Sequence, residues 1–455
     1  MGNDVIRMLR YNTGTDKKAF VNFKNDFDAV IFNATIVAYS GSAIADLVSV
    51  HKNKYIIDPQ THILQHDVSA IMSKSRSNGE ISIKKSVKKY LECLPDSILN
   101  IIERGRNLTI SEIGEVADKL TEDVYNFEVS YVNSFIKNKE YDKYLKYANI
   151  GPEPKVIIAP YFMLKKGMSS SECEEIISIN QKCINKFISI QNSSDTDYPV
   201  AAQLVMDREL LKDGDIIKEI RYKYADLENE YIFIWVSDFS SWECDLEEKK
   251  GFNDLVYGLN SIGKKPVMAY GGYDSIFLCN SELSARLYGV AQSVGYGETR
   301  SITPVGGGLP INKYYFGPLH LRMRFDEALS ILINSGYFDD SKNDAEHAKD
   351  YYRYICNCQQ CQQLIQNDIN NFSIYNESNP YTVHAKYGDI KRNRPTSDAM
   401  LVAAFHFLHR KKIEWDEIEK KSLSELKEEL IDAYNMYGTE KQIKNIKEWC
   451  DIFAK

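Results

Sequence analysis

No run of about 18 apolar residues occurs in this chain, so a membrane span is not expected. Its first residues, Met1-Gly-Asn-Asp-Val-Ile-Arg, lack the apolar core and small-residue cleavage site of a secretory leader. Ile6 stands where a myristoylation signal needs a small hydroxyl residue, and the expected location is cytoplasmic. The even cysteine count of a disulfide framework is missing too: nine cysteines without a leader fit reduced thiols and a metal site. There is no basic excess. A net charge of -8 argues against a uniformly basic nucleic-acid wrapper, while leaving room for a local basic groove. The marks of disorder are absent, because 44% hydrophobic and 26% charged residues are ordinary for a globular protein.

Among what is present, Cys356-Asn-Cys358-Gln-Gln-Cys361 places three cysteines within six residues. Three thiolates at i, i+2 and i+5 face one point and need one more nitrogen to close a tetrahedral zinc shell. His406 is the favoured fourth ligand, since it falls in the apolar run Ala399–His409, where a helix would hold its ring in a fixed position. His384, in a polar, turn-rich stretch, is the rival. A closed shell leaves no open position for water, so the zinc is expected to be structural.

Apolar strands recur along the chain, alternating with helical segments. They read as 28–39 running into a Ser40-Gly-Ser turn, 54–58, 155–164, 198–206, 231–239, 266–274 and 289–298, with helices at about 169–191, 213–227 and 249–262. That alternation predicts a parallel sheet buried on both faces, and a (β/α)8 TIM-type barrel over 1–335 is its natural closure. The eighth strand is expected in a lysine- and tyrosine-rich helical insertion at about 73–152. A zinc-binding subdomain would follow at 336–412 and a charged helical region at 413–455. In such a barrel Asp58, Gln203, Asp238, Gly271, Gly272 and Glu298 end strands around one mouth. Two carboxylates there divide the work of attack and proton transfer, and a Gly-Gly pair lets a flat ring approach the backbone.

With these residues in place, the chain resembles the tRNA-guanine transglycosylase superfamily, zinc-bearing barrels that exchange a guanine base for a 7-deazaguanine. The resemblance rests on Cys356, Cys358 and Cys361 followed by His406-Phe-Leu408. The tRNA-enzyme signature Asp-Ser-Gly-Gly-Phe-Gln is absent, the last barrel strand lacks the usual Phe-Asp motif, and 45 residues separate Cys361 from His406, more than in the tRNA enzymes. Asp58-Pro-Gln-Thr61, Trp235-Val-Ser-Asp238-Phe239 and Gly295-Tyr-Gly-Glu298 are similar instead to the branch that inserts 7-deazaguanines into DNA.

The resemblance implies a pentosyltransferase with a covalent glycosyl-aspartate intermediate, Asp238 as nucleophile and Asp58 as general acid/base, or the reverse. Gln203 and the Gly271-Gly272 backbone would read the base edge, with Tyr270 or Tyr273 stacking on its face. Expected partners are DNA in preference to tRNA, a 7-deazaguanine base, and a second copy or accessory proteins. Three other readings compete: exchange on tRNA, a non-catalytic zinc-stabilised nucleic-acid-binding barrel, and a barrel hydrolase using the same carboxylates on a glycoside.

Overall fold

The computed structural model describes residues 5–11, 14–51, 54–74, 80–135, 153–295, 298–303, 312–385 and 388–454. The chain forms two compact units. The first comprises Met1–Gly14, Lys24–Gly271 and Ser284–Val305, and the second Thr15–Phe23, Gly272–Leu283 and Gly306–Lys455.

The first unit is an eight-stranded, all-parallel, nearly closed barrel. Its strands are β1 (Ile6–Tyr11), β2 (Ala29–Asn33), β3 (Tyr55–Asp58), β4 (Ile157–Ile158), β5 (Val200–Met206), β6 (Tyr231–Val236), β7 (Lys265–Met268) and β8 (Gly289–Ser293). They neighbour one another in the order β3-β2-β1-β8-β7-β6-β5-β4. Every second residue points inward, and Met8, Ile31, Ile56, Ile158, Ala201, Val205, Phe233, Trp235, Val267 and Ala291 fill the interior. Flanking helices include α1 (Ala34–His51), α2 (Lys85–Leu91), α3 (Asp96–Glu103), α4 (Ile110–Ser134), α5 (Ser170–Asn192), α6 (Gly214–Ala225) and α7 (Leu246–Ser261). Capping boxes at Thr109/Glu112, Ser169/Glu172 and Asp245/Glu248 fix where α4, α5 and α7 begin.

Two sequence expectations give way here. The eighth strand is not in the insertion, whose described strands form a separate antiparallel pair, Met72–Lys74 with Ile81–Ile83. It is β1, which pairs with both β2 and β8. Two arginines interrupt β1's apolar pattern, and Arg10 points inward with Ile6 and Met8. The 28–39 run is likewise only half strand: β2 ends at Asn33 and α1 begins at Ala34. An unbroken apolar run has no period to tell strand from helix. The predicted Ser40-Gly turn is a kink inside α1, where Ser40 leaves helical geometry. A Cβ on Gly41 would sit 2.5 Å from the Phe135 ring, so that close approach requires glycine.

The barrel's seam lies between β3 and β4. At its lower end Tyr55 and Pro154 form a bridge, with Tyr55 N–H donating to the Glu153 carbonyl (3.2 Å) and Lys155 N–H to the Tyr55 carbonyl (2.7 Å). Above it side chains replace the ladder. Glu128 on α4 accepts from Ile158 N–H at 2.7 Å. Thr61 Oγ1 donates to the Tyr161 carbonyl (2.6 Å) and accepts from the Tyr161 N–H (2.8 Å). Gln65 Oε1 accepts from Met163 N–H (2.7 Å). The segment after β4 is thus held by polar side chains, which lets it carry Tyr161 inward.

In the second unit, β9 (Tyr314–Phe316) and β10 (Leu321–Met323) pair antiparallel, as do β11 (Ser378–Ala385) and β12 (Gly388–Pro395). Its helices include α8 (Tyr273–Phe277), α9 (Phe325–Asn334), α10 (Asp344–Tyr354), α11 (Gln359–Ile365), α12 (Ser397–Lys420), α13 (Leu423–Tyr437) and α14 (Glu440–Phe453). Among the described residues, no helix is long and apolar enough to cross a membrane.

Candidate functional site

Asp58 ends β3 with none of its surface exposed, and the inward arginine of β1 meets it: Arg10 Nη1 donates to Asp58 Oδ2 at 3.1 Å. Burying two charges costs several kcal/mol per ion unless hydrogen bonds compensate, and here they do. Arg10 Nε donates to the Ala269 carbonyl (2.7 Å), Nη1 also reaches Asn33 Oδ1 (3.4 Å), and the guanidinium lies 3.9 Å over the Tyr270 ring. Asp58 Oδ1 accepts from Tyr161 O–H (2.6 Å) and Gln60 N–H (3.2 Å). Burial works against the charge on Arg10, but Tyr270 and Asp58 outweigh it and raise the guanidinium's pKa.

Behind the carboxylate runs a chain of donors. Burial, then Asp58, pushes the Tyr161 phenol well above its usual range, so it stays a donor. His62 Nδ1 lies 3.0 Å from the Tyr161 oxygen. Because Tyr161 gives its one hydrogen to Asp58, His62 must donate from Nδ1. Burial first, then His66, Arg10 and Lys165, hold His62 well below its usual pKa, and the ring is neutral. It stacks on Tyr161 and meets the edge of Trp235. His66 is lowered to about 4, chiefly by burial and then by Lys165. The direction is fixed from His62 to Tyr161 to Asp58, an ordered run of donors that ends on the carboxylate.

Asp238 differs in every respect. It lies two residues past β6, is exposed, and has φ 49, a left-handed conformation that aspartate adopts with strain. Its N–H and the Trp235 indole both donate to the Arg300 carbonyl, at 3.1 and 3.0 Å. This pins the segment after β8 across the end of β6. Gln60, beside Asp58, is also left-handed at φ 51, so both strand ends that carry an aspartate turn through a non-glycine residue of positive φ. The described hydrogen bonds of Asp58 go to Arg10, Tyr161 and Gln60, and none goes to Asp238.

Gln203 sits mid-strand on β5 between the inward Ala201 and Val205, 1% exposed, with neither amide atom hydrogen-bonded. Leaving such a group unsatisfied costs about 1–3 kcal/mol. Gly271 N–H donates to the Ala291 carbonyl at 3.3 Å, while the Gly272 carbonyl accepts from Ile276 N–H as α8 begins. Tyr273 lies buried in the second unit, stacked on His320 with centroids 3.4 Å apart. Tyr270 belongs to the first unit and is sandwiched against Arg10 and Trp235. Glu298 is half-buried; its neighbours Tyr296 and Gly297 lie outside the described residues.

Sequence reasoning singled out neither Arg10, Tyr161 nor His62. A signal existed: Asp58, Thr61, His62, Gln65 and His66 are five buried polar residues within nine positions, running from the end of β3 through the short 3-10 turn Thr61–Gln65.

The second unit brings Cys356, Cys358, Cys361 and His406 together, all buried, with their ligand atoms within 4.8 Å of one another. This group could hold a metal ion. Cys358 caps α11, where its sulfur accepts from Cys361 N–H, and His406 projects from α12. His406 Nδ1 stands 3.3 Å from Cys358 Sγ and 3.2 Å from Cys361 Sγ, close to the edge of about 3.5 Å expected for a tetrahedral zinc. His406 Nε2 donates to the Tyr315 carbonyl at 2.7 Å, leaving Nδ1 free for a metal, and the ring stacks on Tyr314. Burial opposes every charge here, yet Cys358 and Cys356 push His406 up to about 10, while burial and neighbouring thiols drive Cys361 well up. The rival His384 falls on β11 in register with Asp389, and its side chain lies outside the described residues.

Comparison with protein-family models and with curated proteins finds no match for this chain.

Proposed function

We propose that this protein exchanges guanine in DNA for a 7-deazaguanine, with a structural zinc at Cys356, Cys358, Cys361 and His406. The observation that carries this reading is the contrast between two strand-end carboxylates, one exposed on a strained turn and one buried at the end of a donor chain. Asp238 is free to approach a sugar. Its carboxylate attacks C1′, the C1′–N9 bond breaks with its electron pair passing to guanine N9, and a glycosyl ester forms. Asp58 supplies the proton that the departing base takes up and recovers one from the incoming base, while Tyr161, backed by His62, holds its carboxylate in place. The second base then attacks C1′ and releases Asp238, with the energy of the glycosidic bond retained in the ester. Gln203 reads the base edge, which explains why its amide has no protein partner. The reaction belongs to a cytoplasmic enzyme working alone, as a pair of copies, or with accessory proteins that open the duplex.

The deciding measurement is incorporation of radiolabelled guanine into DNA and into unmodified tRNA, beside an Asp238→Ala control. Label in DNA alone, reduced at least about 10³-fold in the variant, is the expected result. Label in tRNA alone moves the reaction to tRNA, and label in neither favours a binding protein.

Gln203→Leu separates binding from folding. Replacing an unsatisfied buried amide by an apolar side chain leaves urea stability unchanged or raises it by about 1 kcal/mol. The same variant loses about 10²-fold in incorporation through a raised KM for the base. An ordinary packing role gives the opposite pattern.

A further inference from the structure

The hairpin β11–β12 packs few of its residues. From Ser378 to Tyr381 and from Gly388 to Arg394 the side chains are exposed, Tyr381 and Ile390 among them. Its composition opposes that of the whole chain: four lysine and arginine residues against the single acid Asp389, in a protein of net charge -8. The antiparallel register sets Arg394 opposite Asn379 and Arg392 opposite Tyr381 on one face, and Lys391 opposite Thr382 on the other. A lone two-stranded ribbon is marginally stable in water, so its foot is what holds it: Thr396 N–H donates to the Glu377 carbonyl at 3.0 Å and Thr396 caps α12. The other lysine-rich stretch is different. There Lys88 pairs with Glu103 at 3.3 Å and Lys89 with Glu92 at 2.8 Å, so much of its charge is balanced internally.

We propose that β11–β12 is a duplex-DNA-binding arm, in which Lys391, Arg392 and Arg394 contact the phosphates flanking a major groove and Tyr381 lies against the backbone sugars. Charge complementarity names a polyanion, and shape selects among polyanions. Eight residues per strand extend about 26 Å. The major groove of B-DNA, about 12 Å wide, admits a two-stranded ribbon, whereas the deep, narrow major groove of duplex RNA does not. The inference deepens the proposed DNA reaction by naming how the polymer is held, and it stands on the hairpin alone.

The test is fluorescence anisotropy of the full-length protein on a labelled 30-base-pair DNA, titrated across salt concentrations. Neutralising three phosphate contacts in Lys391→Ala/Arg392→Ala/Arg394→Ala is expected to weaken binding at least tenfold at about 0.1 M salt and to flatten the slope of log K against log salt by about 2.7. Arg392→Glu alone, at an exposed site that leaves packing intact, should weaken binding further than Arg392→Ala. A control removing Lys182, Lys186 and Lys218, on α5 and α6, should leave the slope as it is. The proposal is overturned by unchanged affinity and slope in the triple variant, by an equal loss in the control, or by tighter binding of duplex RNA or tRNA than of DNA. Failed base exchange with hairpin-dependent binding sinks the reaction and spares the arm. Base exchange with hairpin-independent binding does the reverse.

Discussion

Cys361→Ser is expected to release the metal and to unfold the second unit at temperatures where the unaltered protein is folded. Cys361 has none of its surface exposed, its sulfur lies 3.6 Å from the Tyr351 hydroxyl, and it stands 3.2 Å from His406 Nδ1. The three cysteines sit around the short helix α11, and the histidine sits on α12, 45 residues later. A metal joining them closes a long loop. Structural zinc contributes about 10–16 kcal/mol of apparent binding free energy in small domains, and that free energy is folding free energy. That is comparable with the whole stability of an ordinary domain, about 5–15 kcal/mol. The expectation is one zinc per chain in the unaltered protein, less than about 0.1 in the variant, and a thermal transition lowered by more than about 10 °C. Metal analysis and near-ultraviolet dichroism read these out. Acid should act in the same direction, because thiolates and imidazole must lose their protons to bind metal, so metal and stability are lost together as pH falls. If the purified protein holds no metal and Cys361→Ser melts like its parent, the four side chains are core residues and no more.

The group that could hold a metal ion was legible because a tetrahedral site requires a close spacing of thiols, and Cys356-Asn-Cys358-Gln-Gln-Cys361 has it. The distance to His406 was harder, since 45 residues look too long for one site. The structure gives the reason: the eight-residue 3-10 segment Ile369–Asn376 and the hairpin β11–β12 occupy the interval and return the chain to where it left. Most barrel strands were legible for a similar reason, being apolar runs bounded by turn residues. The strand that matters most for Asp58 was not, because its key residue is a buried arginine, and Arg10 reads as a surface residue until the carboxylate it meets is known. Tyr161 was hidden differently. It lies in an apolar stretch that reads as strand throughout, but only Ile157–Ile158 pair regularly, and the rest is held by Thr61 and Gln65 from a distant part of the chain. Sequence periodicity reports faces, and side chains that replace a backbone ladder have no period of their own.

The arginine absent from that first reading carries the other large effect. Arg10→Ala leaves Asp58 buried with its counter-ion gone, and removing one partner of a buried pair costs about 3–5 kcal/mol. Urea unfolding of the first unit, followed by the fluorescence of Trp235 and Trp242, should show that loss. Arg10→Met fills the volume better but still strands the charge, so it recovers only the packing share. Asp58→Asn keeps the hydrogen bond from Tyr161 and removes the charge, leaving Arg10 unpaired instead. Combined, Arg10→Met/Asp58→Asn should be more stable than the sum of its parts, with a coupling of about 2 kcal/mol or more between contacting sites. Activity should not follow stability through this set. If Asp58 exchanges protons with the base, the double variant stays inactive however well it folds, and Tyr161→Phe alone changes the pH profile of base exchange while the ion pair persists. If the pair only braces the ends of β1 and β3, activity returns with stability. Asp58 and Tyr161 sit where the barrel's seam is held by side chains, and Arg10 reaches Asp58 from β1. A brace there and a proton path there would share the same atoms, and the double variant tells them apart because a brace can be rebuilt from apolar and amide groups and a proton path cannot.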